Sequence, residues 1–132
     1  MVDKVKSFGA FGVKLKSVRG HWSGISSDGK VVVLALWGDE LNYKTIPISY
    51  DCFDRPDYAE WGRLAGNTAR KAHLRHSISE CGSLFRVVIG HAKDKLQKIN
   101  GNADYNPQLK LLMKITEFND ETGEFRAINV ST

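Results

Sequence analysis

Cysteine is scarce in this chain. Its two copies, Cys52 and Cys81, stand 29 residues apart with no second cysteine beside either. That spacing excludes a CxxC metal clip and a disulfide framework of the secreted kind, so both are expected as reduced thiols. Long apolar runs are also missing. No segment approaches eighteen uncharged apolar residues, and the opening MVDKVKSFGAFGVKLKSV scatters lysines where a signal sequence would need an apolar stretch. The expectation is a soluble, cytoplasmic protein with no membrane partner. Repeats and low-complexity tracts are absent, which argues against a solenoid or a disordered chain.

Catalytic motifs are equally thin. His73 and His76 have the three-residue helical spacing that can hold a metal, but no HExxH, carboxylate or cysteine partner stands near them in sequence. Ser77 and Cys81 match no nucleophile motif. Asp39-Glu40, at the end of an apolar strand, is the one place where a metal-dependent nuclease centre can be imagined, though the spaced Glu-x-Lys that usually follows such an acid is missing. The reading leans away from an enzyme and calls for no cofactor and no metal.

What is present fits one compact domain spanning residues 1–132: 132 residues, 42% hydrophobic and 26% charged, enough to bury a core but too short for two. The formal charge is +4, and its distribution says more than its sum. Six acids (Asp39, Glu40, Asp51, Asp54, Asp57, Glu60) face only Lys44 and Arg55 between positions 39 and 60. Arg63, Arg70, Lys71 and Arg75 then follow with no acid up to position 78. The middle of the chain is electrically polarised.

Period-two alternation predicts a first strand over Gly9 to Val18. Ser-Asp-Gly then turns a hairpin into Val31 to Leu36, apolar on both parities as in a strand covered on both sides and placed centrally in its sheet. Tyr43 to Ser49 is extended and, because of Pro47, belongs at an edge. A loop with a short turn over Tyr58 to Leu64 leads to a helix capped by Asn67 or Thr68 and closed by Cys81-Gly82. Its expected buried stripe is Leu74, Ile78 and Cys81, with Lys71 and Arg75 projecting away. Ser83 to His91 is a second apolar strand, INGNADYNPQ a flexible loop, and Leu109 to Glu117 with Gly123 to Val130 a closing hairpin. The fold class is α+β: a small, strongly curved sheet or open barrel of about six or seven mostly antiparallel strands with one main helix.

Two of the three tryptophans sit in the hairpin HWSGISSDGKVVVLALW. With a two-residue Asp28-Gly29 loop, Trp22 lies opposite Ala35 and shares a face with Trp37. A Ser27-Asp28-Gly29 loop with a glycine bulge sends the indoles to opposite faces, and the serine-rich turn leans this way. In either case Trp37 suits a core position.

The segments HWSGISSDGKVVVLALWGDE, CGSLFRVVIGHAKD and ITEFNDETGEFRA together resemble a group of small bacterial proteins over most of residues 11–128. The resemblance implies a bacterial or phage cytoplasmic context and supplies no activity and no site residues. The strand-helix-strand order is also similar to PUA-like barrels, including the EVE and YTH modules that hold a base in an aromatic cage. As fold-level analogy it implies a base-reading role. The basic groups Lys14, Lys16 and Arg19 lead into His21, and the helix adds Arg70, Lys71 and Arg75. The expected function is therefore a nucleic-acid-binding module for DNA or RNA, reading an exposed or modified base through Arg19, His21, Trp22, Trp37, Arg70, Lys71 and Arg75. The alternative is a protein-protein interaction or inhibitor protein that uses the acidic aromatic segment 39–61, with Tyr50, Phe53, Tyr58 and Trp61 as anchors.

Overall fold

The computed structural model describes residues 3–15, 22–94 and 103–130. A seven-stranded mixed sheet, open and curved, carries the fold. It is built from β1 (Ser23–Ile25), β2 (Val32–Trp37), β3 (Leu41–Asn42), β4 (Ser49–Asp51), β5 (Leu84–Ala92), β6 (Ala103–Phe118) and β7 (Phe125–Val130). The spatial order is β1-β2-β5-β6-β7-β4-β3, antiparallel throughout except for the parallel β2–β5 pair. The main helix α3 (Ala65–Glu80) packs on one face, preceded by the single turn α2 (Tyr58–Trp61). The short α1 (Lys4–Gly9) lies on the other. The α+β class, curved sheet and single main helix expected from the sequence are all present.

Alternation along β2 and β5 separates the two faces. Val32, Leu34, Leu36, Phe85, Val87 and Ile89 join Leu74 of α3 in the larger core. Val33 and Val88 point the other way, onto Phe8 and Val13. Strand β2 is thus covered on both sides, as its doubly apolar sequence requires, although it sits second from an edge and not at the centre.

Four expectations are corrected. The stretch read as a first strand begins as the end of α1, which Asp3 caps by accepting from the Lys6 amide at 2.8 Å. Beyond it, Val13 turns back to donate its amide to the Phe8 carbonyl, so Phe11, Val13 and Leu15 cover the sheet without joining it. Residues 16–18 lie outside the described residues. Tyr43 to Ile48 is a loop between the edge strand β3 and its neighbour β4. The supposed loop around DYNPQ is strand: β6 starts at Ala103 and pairs Pro107 with Val88 across a register shift. At that level β7 does not pair with β6, so among the described residues Pro107 has a strand neighbour on the β5 side only.

The helix is the most instructive correction. α3 starts at Ala65, and its buried residues are Gly66, Asn67, Arg70, Leu74 and Ser77, whereas Ile78 is 43% exposed. The buried stripe runs one residue off the expected one and is largely polar. Asn67 donates through Nδ2 to the carbonyls of Gly62 and Thr122, and Ser77 to the carbonyl of Leu84. Gly123, at φ +86° in the β6–β7 turn, leaves no room for a Cβ against Asn67. Glycine is required there on both counts.

Arg70 is the least expected core residue. It is 6% exposed, and its guanidinium lies 5.1 Å from the Trp22 ring, 5.4 Å from Trp61 and 5.3 Å from Phe125. Its Nε has no hydrogen-bond partner, and no carboxylate among the described residues pairs with it. Aromatic faces replace water around the cation, a role that suits the weakly hydrated, planar guanidinium better than a compact ammonium. Arg70→Lys is therefore expected to cost about 2 kcal/mol of stability in urea unfolding. Arg70→Met, which removes the charge and keeps the bulk, is expected to cost less than Arg70→Lys or to stabilise. An Arg70→Lys variant as stable as the parent would contradict a role specific to the guanidinium.

Candidate functional site

The residues singled out in the sequence do not converge. Arg19 and His21 lie outside the described residues. The hairpin register puts the Trp22 carbonyl opposite Ala35, whose amide donates to it at 2.7 Å. Trp22 precedes β1, however, and its ring turns to the α3 side, against Arg70 and the larger core. Trp37 instead faces the α1 side, with its ring 6.4 Å from that of Tyr105. The two indoles are on opposite faces, the outcome the serine-rich turn favoured, but a two-residue register accompanies it. No shared slot forms between them.

The cations of α3 are occupied internally. Arg70 is buried, Arg75 Nε meets Asp120 Oδ1 at 2.6 Å, and Lys71 Nζ donates to the Glu121 carbonyl at 3.1 Å. The helix thus clamps the β6–β7 turn. The histidines are likewise ties and not an exposed pair. His73 Nδ1 shares a hydrogen bond of 2.6 Å with Ser23 Oγ, and His76 Nε2 donates to the Gly29 carbonyl at 2.7 Å. Together they pin the β1–β2 hairpin to α3. Both cysteines are free thiols; burial pushes Cys52 above its ordinary range. Asp39 and Glu40 sit in a 3-10 turn after β2, and Glu40 is spent on an ion pair with Arg55. Among the described residues no three His, Cys, Asp or Glu side chains gather as a metal cluster would require. Among them, too, no helix is long and apolar enough to cross a membrane.

The face of the sheet opposite α3 is different. Alternation on β5 places Arg86, Val88 and Gly90 there, and the register sets Leu112 and Val130 beside Arg86, and Lys114 and Ile128 beside Leu84. Phe8 of α1 covers Val88, the middle of this row, and leaves open ground on either side. On one side are Arg86, Lys114 and Lys110, with half-buried Leu84, Leu112, Ile128 and Val130 between them. On the other are Trp37 and Tyr105, both half-buried and packed over Gly90, where an added Cβ would fall 2.9 Å from the tyrosine ring. Lys6 and Lys14 project from the α1 segment in between. Arg86 donates to the Leu109 carbonyl at 3.3 Å; Lys6, Lys14, Lys110 and Lys114 are exposed and form no ion pair with the described residues.

Sequence reasoning named Lys14 and Trp37 but missed Lys6, Arg86, Tyr105, Lys110 and Lys114. The signal for the last two was the alternation of Lys110, Leu112 and Lys114 with Leu111, Met113 and Ile115. Tyr105 was hidden inside the segment assigned to a loop.

Lys4 sits at the heart of this face, 6% exposed, with Nζ 5.5 Å from the centre of the Tyr105 ring. Burial lowers its pKa from 10.5 to about 8. Between those two values the unfolded chain holds a proton that the folded chain has lost. Stability therefore rises with pH across that window, and below about pH 8 the charged form bears the full cost of burial. Lys4→Met removes this contribution. Subtracting its unfolding free energy from that of the parent should leave a curve that climbs from pH 8 toward 10.5; a flat difference would contradict the burial of Lys4. Raised pKa values at Tyr50, Tyr105 and Cys52 act in the opposite sense in both proteins and largely drop out of the subtraction.

No known protein family, curated protein or solved structure matches the chain.

Proposed function

We propose that the protein is a nucleic-acid-binding module of the bacterial or phage cytoplasm whose contact surface is the outer face of the sheet, not helix α3. The observation that carries this reading is the sorting of charge. Among the described residues, Lys6, Lys14, Lys110 and Lys114 stand exposed and unpaired on that face, with Arg86 beside them. Around the β4 edge and the β6–β7 turn, Arg55, Arg75 and Arg126 are paired with acids of the same chain, and Arg70 is buried among aromatic rings. Exposed ammonium groups without partners are free to displace the counterions of a phosphate backbone. Trp37 and Tyr105 add two half-exposed rings at the end of the same face, a stacking element for an unpaired base.

The composition of the face also bears on selectivity. It is dominated by lysine, a flexible point charge, and its one arginine already donates to a backbone carbonyl. Such a surface favours positioning on phosphates over bidentate readout of base edges, so binding should tolerate sequence changes. A base-reading role, if exercised, falls to Trp37 and Tyr105.

Fluorescence anisotropy with short DNA and RNA across a salt series tests the assignment. Lys110→Glu with Lys114→Glu should weaken binding and reduce the magnitude of the log-log salt slope by about 2. Lys71→Gln with Arg75→Gln on α3 should leave that slope unchanged. Affinity indifferent to salt, or a slope lost only with the helix pair, would overturn the outer-face reading.

A further inference from the structure

The acidic segment 39–61 keeps few of its aromatics outside. Tyr50 and Trp61 are in the core at 4% and 8% exposure, and Tyr58 stacks edge-on against Trp61 at 4.8 Å. What the segment does expose is the loop between β3 and β4, where Ile46 is 99% and Tyr43 55% accessible with Lys44 between them. This loop has internal ties. Asn42 Oδ1 accepts from the Lys44 amide at 3.0 Å, and Thr45 Oγ1 donates to the Asn42 carbonyl at 3.1 Å and lies 2.9 Å from Ser49 Oγ. An isoleucine held fully in water on a hydrogen-bonded loop is a preformed apolar knob. It carries one cation, and Lys44 Nζ forms no ion pair with the described residues.

The same edge of the sheet bears a cleft of complementary character. It is a shallow depression, largely open to solvent, of about 550 Å³, lined by Phe53, Glu117, Phe118, Asn119, Asp120 and Glu121. Two of its acids are committed: Glu117 to Arg126 at 2.7 Å and Asp120 to Arg75 at 2.6 Å. The Glu121 carboxylate pairs with no cation among the described residues. The cleft therefore offers two aromatic walls and one spare negative charge; the knob offers apolar side chains and one spare positive charge. Strand β4 (Ser49–Asp51) links them, the loop leading into its start and Phe53 following its end. Three residues of strand span roughly 10 Å.

We propose that the occupant of the cleft is a second copy of this chain, with Tyr43, Lys44 and Ile46 of each protomer seated against Phe53, Phe118 and Glu121 of the other. Because knob and cleft adjoin on one edge, a two-fold axis between them satisfies both contacts at once and closes the assembly as a dimer; a one-way contact would propagate as a filament. The surface is distinct from the lysine face, so the dimer presents two such faces.

Sedimentation velocity over a concentration series, without nucleic acid, tests the proposal. The parent is expected to dimerise, and Ile46→Asp to remain monomeric with unchanged circular dichroism and with the thermal midpoint the parent shows at dilutions where it too is monomeric, since Ile46 is 99% exposed. Lys44→Glu and Glu121→Lys should each weaken association about tenfold or more, and the combined variant should recover most of it. A parent that stays monomeric at every concentration, a dimer that survives Ile46→Asp, or a charge swap without recovery would each overturn the assignment.

Discussion

Much of this fold turns on one cation placed where a hydrophobic residue would ordinarily sit. Arg70 reaches from the middle of α3 to the rings of Trp22, Trp61 and Phe125, which belong to the approach to β1, to α2 and to β7. Those elements are far apart in the sheet order, and the curvature of the sheet brings them around the helix. Burying a charge is costly in proportion to the hydration it loses, and the guanidinium loses less than an ammonium and gains three quadrupole faces. The arrangement fixes the rotation of α3. With Arg70 inward, Lys71 and Arg75 reach the β6–β7 turn and His73 and His76 reach the hairpin.

That rotation also explains the division of labour between the two basic residue types. Arg55, Arg70, Arg75, Arg86 and Arg126 all hold the chain to itself, through carboxylates, carbonyls or rings. Arg126 is the fullest case, bridging Asp51 and Glu117 while lying 4.6 Å from the Phe53 ring. Lysine, with its strongly hydrated head, is mostly left at the surface. Four acids, Glu40, Asp51, Glu117 and Asp120, are held by arginines in place, so the exposed positive charge of the outer face is carried by lysine.

Elements with a local signal were legible in the sequence. The Asp28-Gly29 and Asn119–Gly123 turns, the apolar β2 and β5, the period-two pattern of β6 and β7, and a helix ending before Gly82 all followed from turn chemistry and alternation. The buried face of α3 did not, because the usual apolar stripe is replaced by Asn67, Arg70 and Ser77, whose burial depends on partners distant in sequence such as Thr122. The first strand failed for a related reason. Phe11, Val13 and Leu15 alternate because they cover a sheet, and coverage leaves the same pattern as pairing. For the candidate interface, clusters of basic residues pointed to α3, where each cation had an internal partner. The free lysines are spread over α1 and β6, and only the sheet brings them together.

The ends of the sheet have a bearing on how the chain behaves in a crowded solution. Its longest strand, the sixteen-residue β6, is flanked along much of its length by β5 and β7, while the two outermost strands, β1 and β3, contribute three residues and two. An unpaired strand rim recruits other chains in proportion to the length of ladder it exposes. Those two outermost strands are too brief to template a growing stack, whereas Ala103 to Leu111 of β6 has no strand of this sheet on its β7 side among the described residues. The strongly apolar β2 and the part of β6 from Leu112 to Lys114 are instead shielded from fibril growth, each flanked on both sides by strands of the same sheet.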